Sequence, residues 1–184
     1  VQEQMYDTLA MLEKEGEFSF SNEWKIKMSD PVANVIGSAL YGEFTISPEE
    51  FELEVKVILD KRSGLVTQAL NLVFEPEWKW KAEKDKIVKE TEYKFEFNYG
   101  LGVALGKGWS LGAEVRNTNV VANDIWANSA LFAGPVISYS RNDFWINFTI
   151  LPQVAGLRGI TPGSSLNLDE YEKLQARLLF SFSL

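Results

Sequence analysis

At 184 residues the chain is long enough for one domain or a closed β-barrel of about ten strands, and too short for a large porin. It has no His and no Cys, which removes the usual general base, thiolate nucleophiles, disulfides and the common transition-metal ligands; no enzyme activity, cofactor or metal is expected. The net charge of −8 repels nucleic-acid phosphates, and although 46% of residues are hydrophobic, mean hydropathy is only −0.12, so apolar residues are interleaved with polar ones and no run approaches the ~18 needed by a membrane helix.

In chain order, residues 1–16 are the ambiguous part of this single domain. Residues 5–15 alternate poorly (Thr8, Ala10, Leu12, Lys14 against Leu9, Met11, Glu13, Glu15), and Met5, Leu9 and Leu12 would equally line a short amphipathic helix. From Phe18 the period becomes two, the spacing of strand side chains. Phe18, Phe20, Trp24, Ile26 and Met28 oppose Ser19, Ser21, Glu23, Lys25 and Lys27. A less regular strand follows at 35–46, and then Phe51, Leu53, Val55, Val57 and Leu59 oppose Glu52, Glu54, Lys56 and Asp60. The next strand carries Leu70, Leu72, Phe74, Pro76, Trp78 and Trp80; Pro76 lacks a ladder donor and predicts a bulge or a strand end. Tyr93 to Leu105 alternates most cleanly, its large apolar residues set against Lys94, Glu96, Asn98, Gly100, Gly102 and Ala104. Trp109, Leu111, Ala113 and Val115 oppose Ser110, Gly112, Glu114 and Arg116, and strands at 130–140, 144–154 and 174–184 complete nine.

The connections at 61–64, 106–108 and 141–143 are short, and those at 81–90, 121–127 and 155–170 read as long loops. Short turns on one rim and long loops on the other are the layout of an outer-membrane barrel. The first and last of nine antiparallel strands run the same way, so residues 5–15, turning at Gly16, are expected to supply a tenth. The predicted fold is all-β: an antiparallel up-and-down transmembrane barrel of about ten strands.

Polar and small residues on one face against large apolar ones on the other place Glu23, Lys25, Lys27, Glu52, Glu54, Lys56, Lys94, Glu96, Glu114, Arg116 and Arg177 in the lumen, with Lys173 near its mouth. Mixed signs favour mutual pairing across a plugged interior; a selective ion path would favour one sign. Trp78, Trp80 and Tyr93 fall toward the long-loop rim, and Trp109, Tyr139, Phe144, Phe180 and Phe182 toward the short-turn rim, as two interfacial aromatic belts would. The acidic groups Glu43, Glu49, Glu50, Glu52 and Asp169, Glu170, Glu172 lack the alternating ligands and glycine of a dedicated calcium loop. Gly100-Leu101-Gly102 with Gly106 sits inside a strand, not at a strand-to-helix turn, so it is not a nucleotide fingerprint.

The last strand sets Leu174, Ala176, Leu178, Phe180, Phe182 and Leu184 on one face, and resembles the C-terminal assembly signal of bacterial outer-membrane barrels. The stretches Glu23-Trp24-Lys25-Ile26-Lys27-Met28-Ser29-Asp30-Pro31, Ala39-Leu40-Tyr41-Gly42-Glu43, Phe51-Glu52-Leu53-Glu54-Val55-Lys56, Trp109-Ser110-Leu111-Gly112-Ala113-Glu114-Val115-Arg116-Asn117, Gly134-Pro135 and Leu151-Pro152-Gln153 together resemble an uncharacterised family of bacterial outer-membrane proteins. The resemblance implies an outer-membrane location in a Gram-negative envelope, contact with the lipid bilayer, and engagement of the barrel-assembly machinery by the last strand. It implies nothing about a substrate. The leading expectation is a small, largely plugged barrel with a structural or interaction role through its long extracellular loops. Lysines at 81–90 would meet lipopolysaccharide phosphates, and another envelope protein or chain is a candidate partner at the N-terminal edge. The alternatives are a narrow channel for ions or small solutes, porin-like in kind, and a soluble ligand-binding barrel.

Overall fold

The computed structural model describes residues 18–83 and 86–182, and the side chains of all of these outside 81–86. The strands are β1 Phe20–Ser29, β2 Gly37–Ile46, β3 Glu50–Ser63, β4 Val66–Glu83, β5 Lys86–Gly106, β6 Trp109–Ala122, β7 Ile125–Arg141, β8 Phe144–Arg158 and β9 Leu174–Phe182. Each pairs antiparallel with its sequence neighbours in one nine-stranded sheet. The sheet curls into a half-barrel, and no helix occurs among the described residues. All nine strands read from the alternation are therefore present. The expected tenth at 5–15 and its Gly16 turn lie outside the described residues. Among those that are described, the sheet order ends at β1 and β9 with no pairing between them, so they form an open sheet and not the closed ten-stranded barrel.

The curl has a direction that side chains reveal. Glu114 on β6 reaches Arg177 on β9 over the two strands between them, which is possible only on the concave side. Along β6 the residues in phase with Glu114 are partly buried, while Trp109, Leu111, Ala113 and Val115 are exposed. In β5, Phe95, Phe97, Leu101, Val103 and Leu105 are likewise exposed, and Lys94, Glu96, Asn98, Gly100 and Gly102 are half-buried. The period-two alternation thus turns the apolar stripe outward and the charged stripe into the concavity.

One rim carries the connections at 30–36, 64–65, 107–108 and 142–143; the other carries those at 47–49, 84–85, 123–124 and 159–173. The β6–β7 turn is just Asn123 and Asp124, both left-handed at φ 51° and 61°, a conformation that suits the twist of a two-residue hairpin and that Asn and Asp tolerate. Two of the three expected long loops are consequently absent. Strand pairing continues to Glu83↔Lys86 and to Ala122↔Ile125, leaving 159–173 as the one long connection on its rim. Residues 81–83 and 86–90 belong to a ribbon that outruns β3 and β6, and Ile87 to Glu90 within it are exposed.

Pro76 produces neither a bulge nor a strand end. The β3–β4 ladder skips it and resumes in the same register, with Glu52↔Glu77 above and Val55↔Phe74 below, while Pro76 still faces Tyr93 on β5. Single register shifts occur in the β1–β2, β5–β6 and β6–β7 ladders, and the densest irregularity is between β7 and β8. Register shifts fall at Ser129/Ala130 and Leu131/Phe132, and the ladder lapses between Phe132↔Gln153 and Val136↔Thr149, where Pro135 and Pro152 have no amide to give. Gly134 sits in this gap; a Cβ there would lie 1.9 Å from the Ile150 carbonyl oxygen, so only glycine permits the approach. Beside the crease lies the buried cluster Ala130, Phe132 and Leu151, on the concave side beneath Tyr171.

Candidate functional site: the concave charge lining

The sheet sorts the expected lumen charges into groups by strand. At the β6–β9 end Glu114 is the hub: Arg177 Nη2 lies 3.0 and 2.9 Å from its two carboxylate oxygens, and Arg116 Nη2 lies 3.3 Å from Oε1. Arg116 also donates to Gln175 Oε1 at 3.2 Å, a second tie from β6 to β9. Two cations on one largely shielded carboxylate tie β6 to β9 across β7 and β8.

A second group spans β3 to β5. Lys94 Nζ contacts Glu75 at 2.7 Å and Glu77 at 3.2 Å, and Lys79 Nζ contacts Glu77 at 2.5 Å. Glu77 is 3% exposed, and carboxylate oxygens of Glu50, Glu52 and Glu77 lie within 4.8 Å of one another. Buried carboxylates this close repel, and Lys79 and Lys94 offset that repulsion. With Glu50, Glu52, Glu75 and Glu77 set against Lys79 and Lys94, the group keeps an excess of carboxylates. Glu96, next along β5, accepts from Thr118 and Asn98, each at 3.1 Å.

The third group, on β1 to β3, is looser. Tyr41 donates to Glu23 at 2.8 Å and also meets Glu43. Lys56 pairs with Glu54 at 2.5 Å and lies 4.5 Å from the centre of the Tyr41 ring. Lys25 is exposed, and Lys27 turns to Asp30 at 2.6 Å. The Lys27 ammonium, with the amides of Val32 and Ala33, holds the Asp30 carboxyl down at about 2. Lys27 thus caps the 30–36 loop, and Glu23 to Lys27 face open space where the β6–β9 charges face one another.

The 159–173 connection enters the concavity. Gln153 holds Asn167 by both amide ends, accepting from its N–H at 2.7 Å and donating to its carbonyl at 3.0 Å, and Asn167 is fully buried. Tyr171 meets Phe132 edge-on at 6.2 Å. Burial, aided by the carboxylates of Glu170, Glu92 and Glu96, pushes the Tyr171 phenol up to about 12. Below this loop, toward the short-turn rim, charge gives way to small residues around a cavity of about 780 Å³; Thr67, Gly100, Ser110 and Ser138 line it beside Trp145 and Leu179. A Cβ at Gly100 or Gly102 would meet nothing within 4 Å, so these glycines border free volume and not an opposing wall.

The convex face carries the expected aromatics in two bands. Trp109 packs on Tyr139 at 4.9 Å and Phe144 on Phe182 at 5.1 Å near the short-turn rim, with Phe180 against Phe182 at 5.9 Å. Toward the other rim Phe51 stacks on Trp78 at 5.5 Å and Tyr93 on Phe74 at 6.2 Å, with Trp80 two residues beyond Trp78 on the same face. Sequence reading overlooked Glu75, Glu77 and Lys79, although they alternate with Phe74, Trp78 and Trp80 and could have been assigned by the same rule. Trp145 and Leu179, inward-facing despite being apolar, and Asn167 and Tyr171, in a loop without periodicity, gave no such signal.

The family model that matches this chain covers residues 49–184, from the edge of β3 through β9. The chain belongs to DUF6662, a family of unknown function. No curated protein and no solved structure matches it. The part shared with DUF6662 includes the Glu114–Arg177 hub, the Glu77–Lys94 group and the Tyr171 loop, whereas β1 and β2 precede it.

Proposed function

We propose that this DUF6662 chain forms the wall of a small, largely plugged β-barrel in a bacterial outer membrane, with a structural or interaction role at its rims. The observation that carries the reading is the sidedness of the sheet: the convex face is apolar and exposed from Phe95 to Leu105 and from Trp109 to Val115, and the charges are concave. A soluble barrel requires the opposite arrangement. Ten residues of tilted strand span roughly the 25 Å apolar band of an outer-membrane barrel, and the aromatic pairs flank that stretch. The Glu114–Arg177 bridge and the inward Tyr171 loop favour a plug over a free pore. The cavity at the short-turn end favours the second reading, a narrow path for ions or small solutes. In this reading lipid meets Phe97, the ribbon at 81–90 approaches lipopolysaccharide phosphates, and β9 is offered to the assembly machinery.

Spin labels in lipid test the placement. Labels at Phe95 and Phe97 should be reached by oxygen and not by a water-soluble relaxant, with the reverse at Asn98. Phe97→Arg should destabilise by about 2 to 4 kcal/mol and Asn98→Arg by much less. Water accessibility at Phe97 would overturn the membrane reading, and large steady single-channel currents would overturn the plug.

A further inference from the structure

The inner face changes character toward the short-turn rim. Along β5 it passes from Lys94 and Glu96 to Gly100 and Gly102, and along β6 from Arg116 and Glu114 to Gly112 and Ser110. Among the described residues, the cavity of about 780 Å³ at that end meets just two ionisable side chains, Arg62 and Glu114. Arg62 stands beside the β3–β4 turn, and Glu114 is already held by Arg177 and Arg116. A selective ion path would carry charge of one sign along its lining. The solute that suits this cavity is therefore uncharged.

The hydroxyls of Thr67 and Ser110 have no hydrogen-bond partner among the described residues, and Ser138 donates to Asn147 Oδ1 at 2.7 Å, which leaves the Asn147 amide hydrogens unused. Trp145 and Leu179, on neighbouring strands of the same inner face, are each 43% exposed, although the interior of a membrane barrel is ordinarily polar. Gly112 must be glycine, because a Cβ there would lie 2.4 Å from the Leu101 carbonyl oxygen. Its partner Gly102, and Gly100 beyond it, would meet nothing within 4 Å. Glycine weakens a strand interior and marks places that a ligand or another backbone approaches closely. No backbone among the described residues approaches these two. A molecule that fits has polar atoms for Thr67, Ser110 and Asn147 and an apolar face for Trp145 and Leu179.

We propose that the cavity binds a neutral sugar. A pyranose face made of C–H groups lies on Trp145 and Leu179, the ring hydroxyls bond to Thr67, Ser110 and Asn147, and the two glycines leave room for the ring. The volume is that of an ordinary small-molecule site. The proposal deepens the second reading above, the path for small solutes, and rests on it for the sugar's passage.

Cellobiose tests it, because its β-linked rings are apolar on their faces and hydroxylated at their edges. With the full chain in lipid nanodiscs, saturation-transfer NMR should show saturable binding through the ring C–H protons. Trp145→Ala should weaken binding by about tenfold, the loss of a stacked ring, while Trp145→Phe keeps most of it. Gly100→Leu fills the cavity where a Cβ has space, so the sheet should persist by circular dichroism and the binding should be lost. Sorbitol, hydroxylated but without a flat ring, should not bind. No saturable binding of cellobiose, binding unchanged in Trp145→Ala or in Gly100→Leu, or equal binding of sorbitol would each overturn the proposal. Vesicle swelling in cellobiose reads passage separately: saturable binding without swelling supports the site and removes the path, and swelling without saturable binding supports the path and removes the site.

Discussion

At the β7–β8 end of the sheet Phe132 and Leu151 are closed from solvent beneath Tyr171, whereas at the other end every residue of β1 from Phe20 to Met28 is exposed. The same alternation writes both. What differs is the chain that follows: β8 is succeeded by a 15-residue connection, 159–173, that folds back into the concavity, and β1 has no such cover among the described residues. Burial in a single curled sheet comes from what lies over the concave face, because the convex face has nothing against it. One end is therefore held by packing and charge, and the other by its ladder.

The sharpest way to break this comparison is to hollow the packed end. Phe132 is fully buried, so Phe132→Ala loses its transfer energy and leaves a cavity under Tyr171, for about 3 to 5 kcal/mol. Ile26→Ala on β1, where the side chain is 64% exposed, should cost under about 1 kcal/mol. Denaturant unfolding in lipid vesicles measures both. Equal losses would mean that the two ends are packed alike.

A smaller effect is expected from the charges. Glu114→Gln leaves Arg177 and Arg116 facing each other without their acid, and the partial exposure of Arg177 limits the loss to about 1 to 3 kcal/mol. Lys27→Gln breaks an exposed pair at the other end and should change stability by under about 0.5 kcal/mol. A double-mutant cycle with Arg177→Gln sharpens the contrast. Coupling near zero between Glu114 and Arg177 would remove the bridge from the forces that set the curl.

Where a strand has one face toward each environment, its sequence announces it. The alternations of Tyr93 to Leu105 and of Trp109 to Arg116 located β5 and β6 and assigned their faces, and Glu114, Arg116 and Arg177 could be grouped on that basis alone. Which of the eleven charges actually meet was not legible, because contact between β6 and β9 depends on curvature. Between those strands lie Gly134, Pro135 and Pro152 and register shifts that no period records. Lys25 and Lys27 carry the same alternation as Arg116 yet meet different surroundings for this reason. The 81–90 segment misled because charge density resembles a loop, although its ladder runs on to Glu83↔Lys86.

The smallest expected effects are titrations, and they separate the two ends by sign. Tyr171 is raised from 10.0 to about 12 by burial first and by neighbouring carboxylates second, so folding favours its neutral form. Its contribution is complete below the ordinary tyrosine value of 10.0 and is lost as pH rises through about 12. Asp30, in the loop that follows β1, is lowered from 3.8 to about 2 by Lys27 and two backbone amides. What it adds is present above 3.8 and is lost as pH falls through about 2. The packed end should therefore loosen in base and the 30–36 loop in acid. Phenolate absorbance follows the first, with Tyr171→Phe removing the component that titrates at about 12 while Tyr41 stays neutral beyond it, and amide shifts of Val32 and Ala33 follow the second. A Tyr171 that ionises near the ordinary tyrosine value of 10.0 would show that the 159–173 connection does not cover Phe132, and the contrast between the two ends would then reduce to a difference in strand pairing alone.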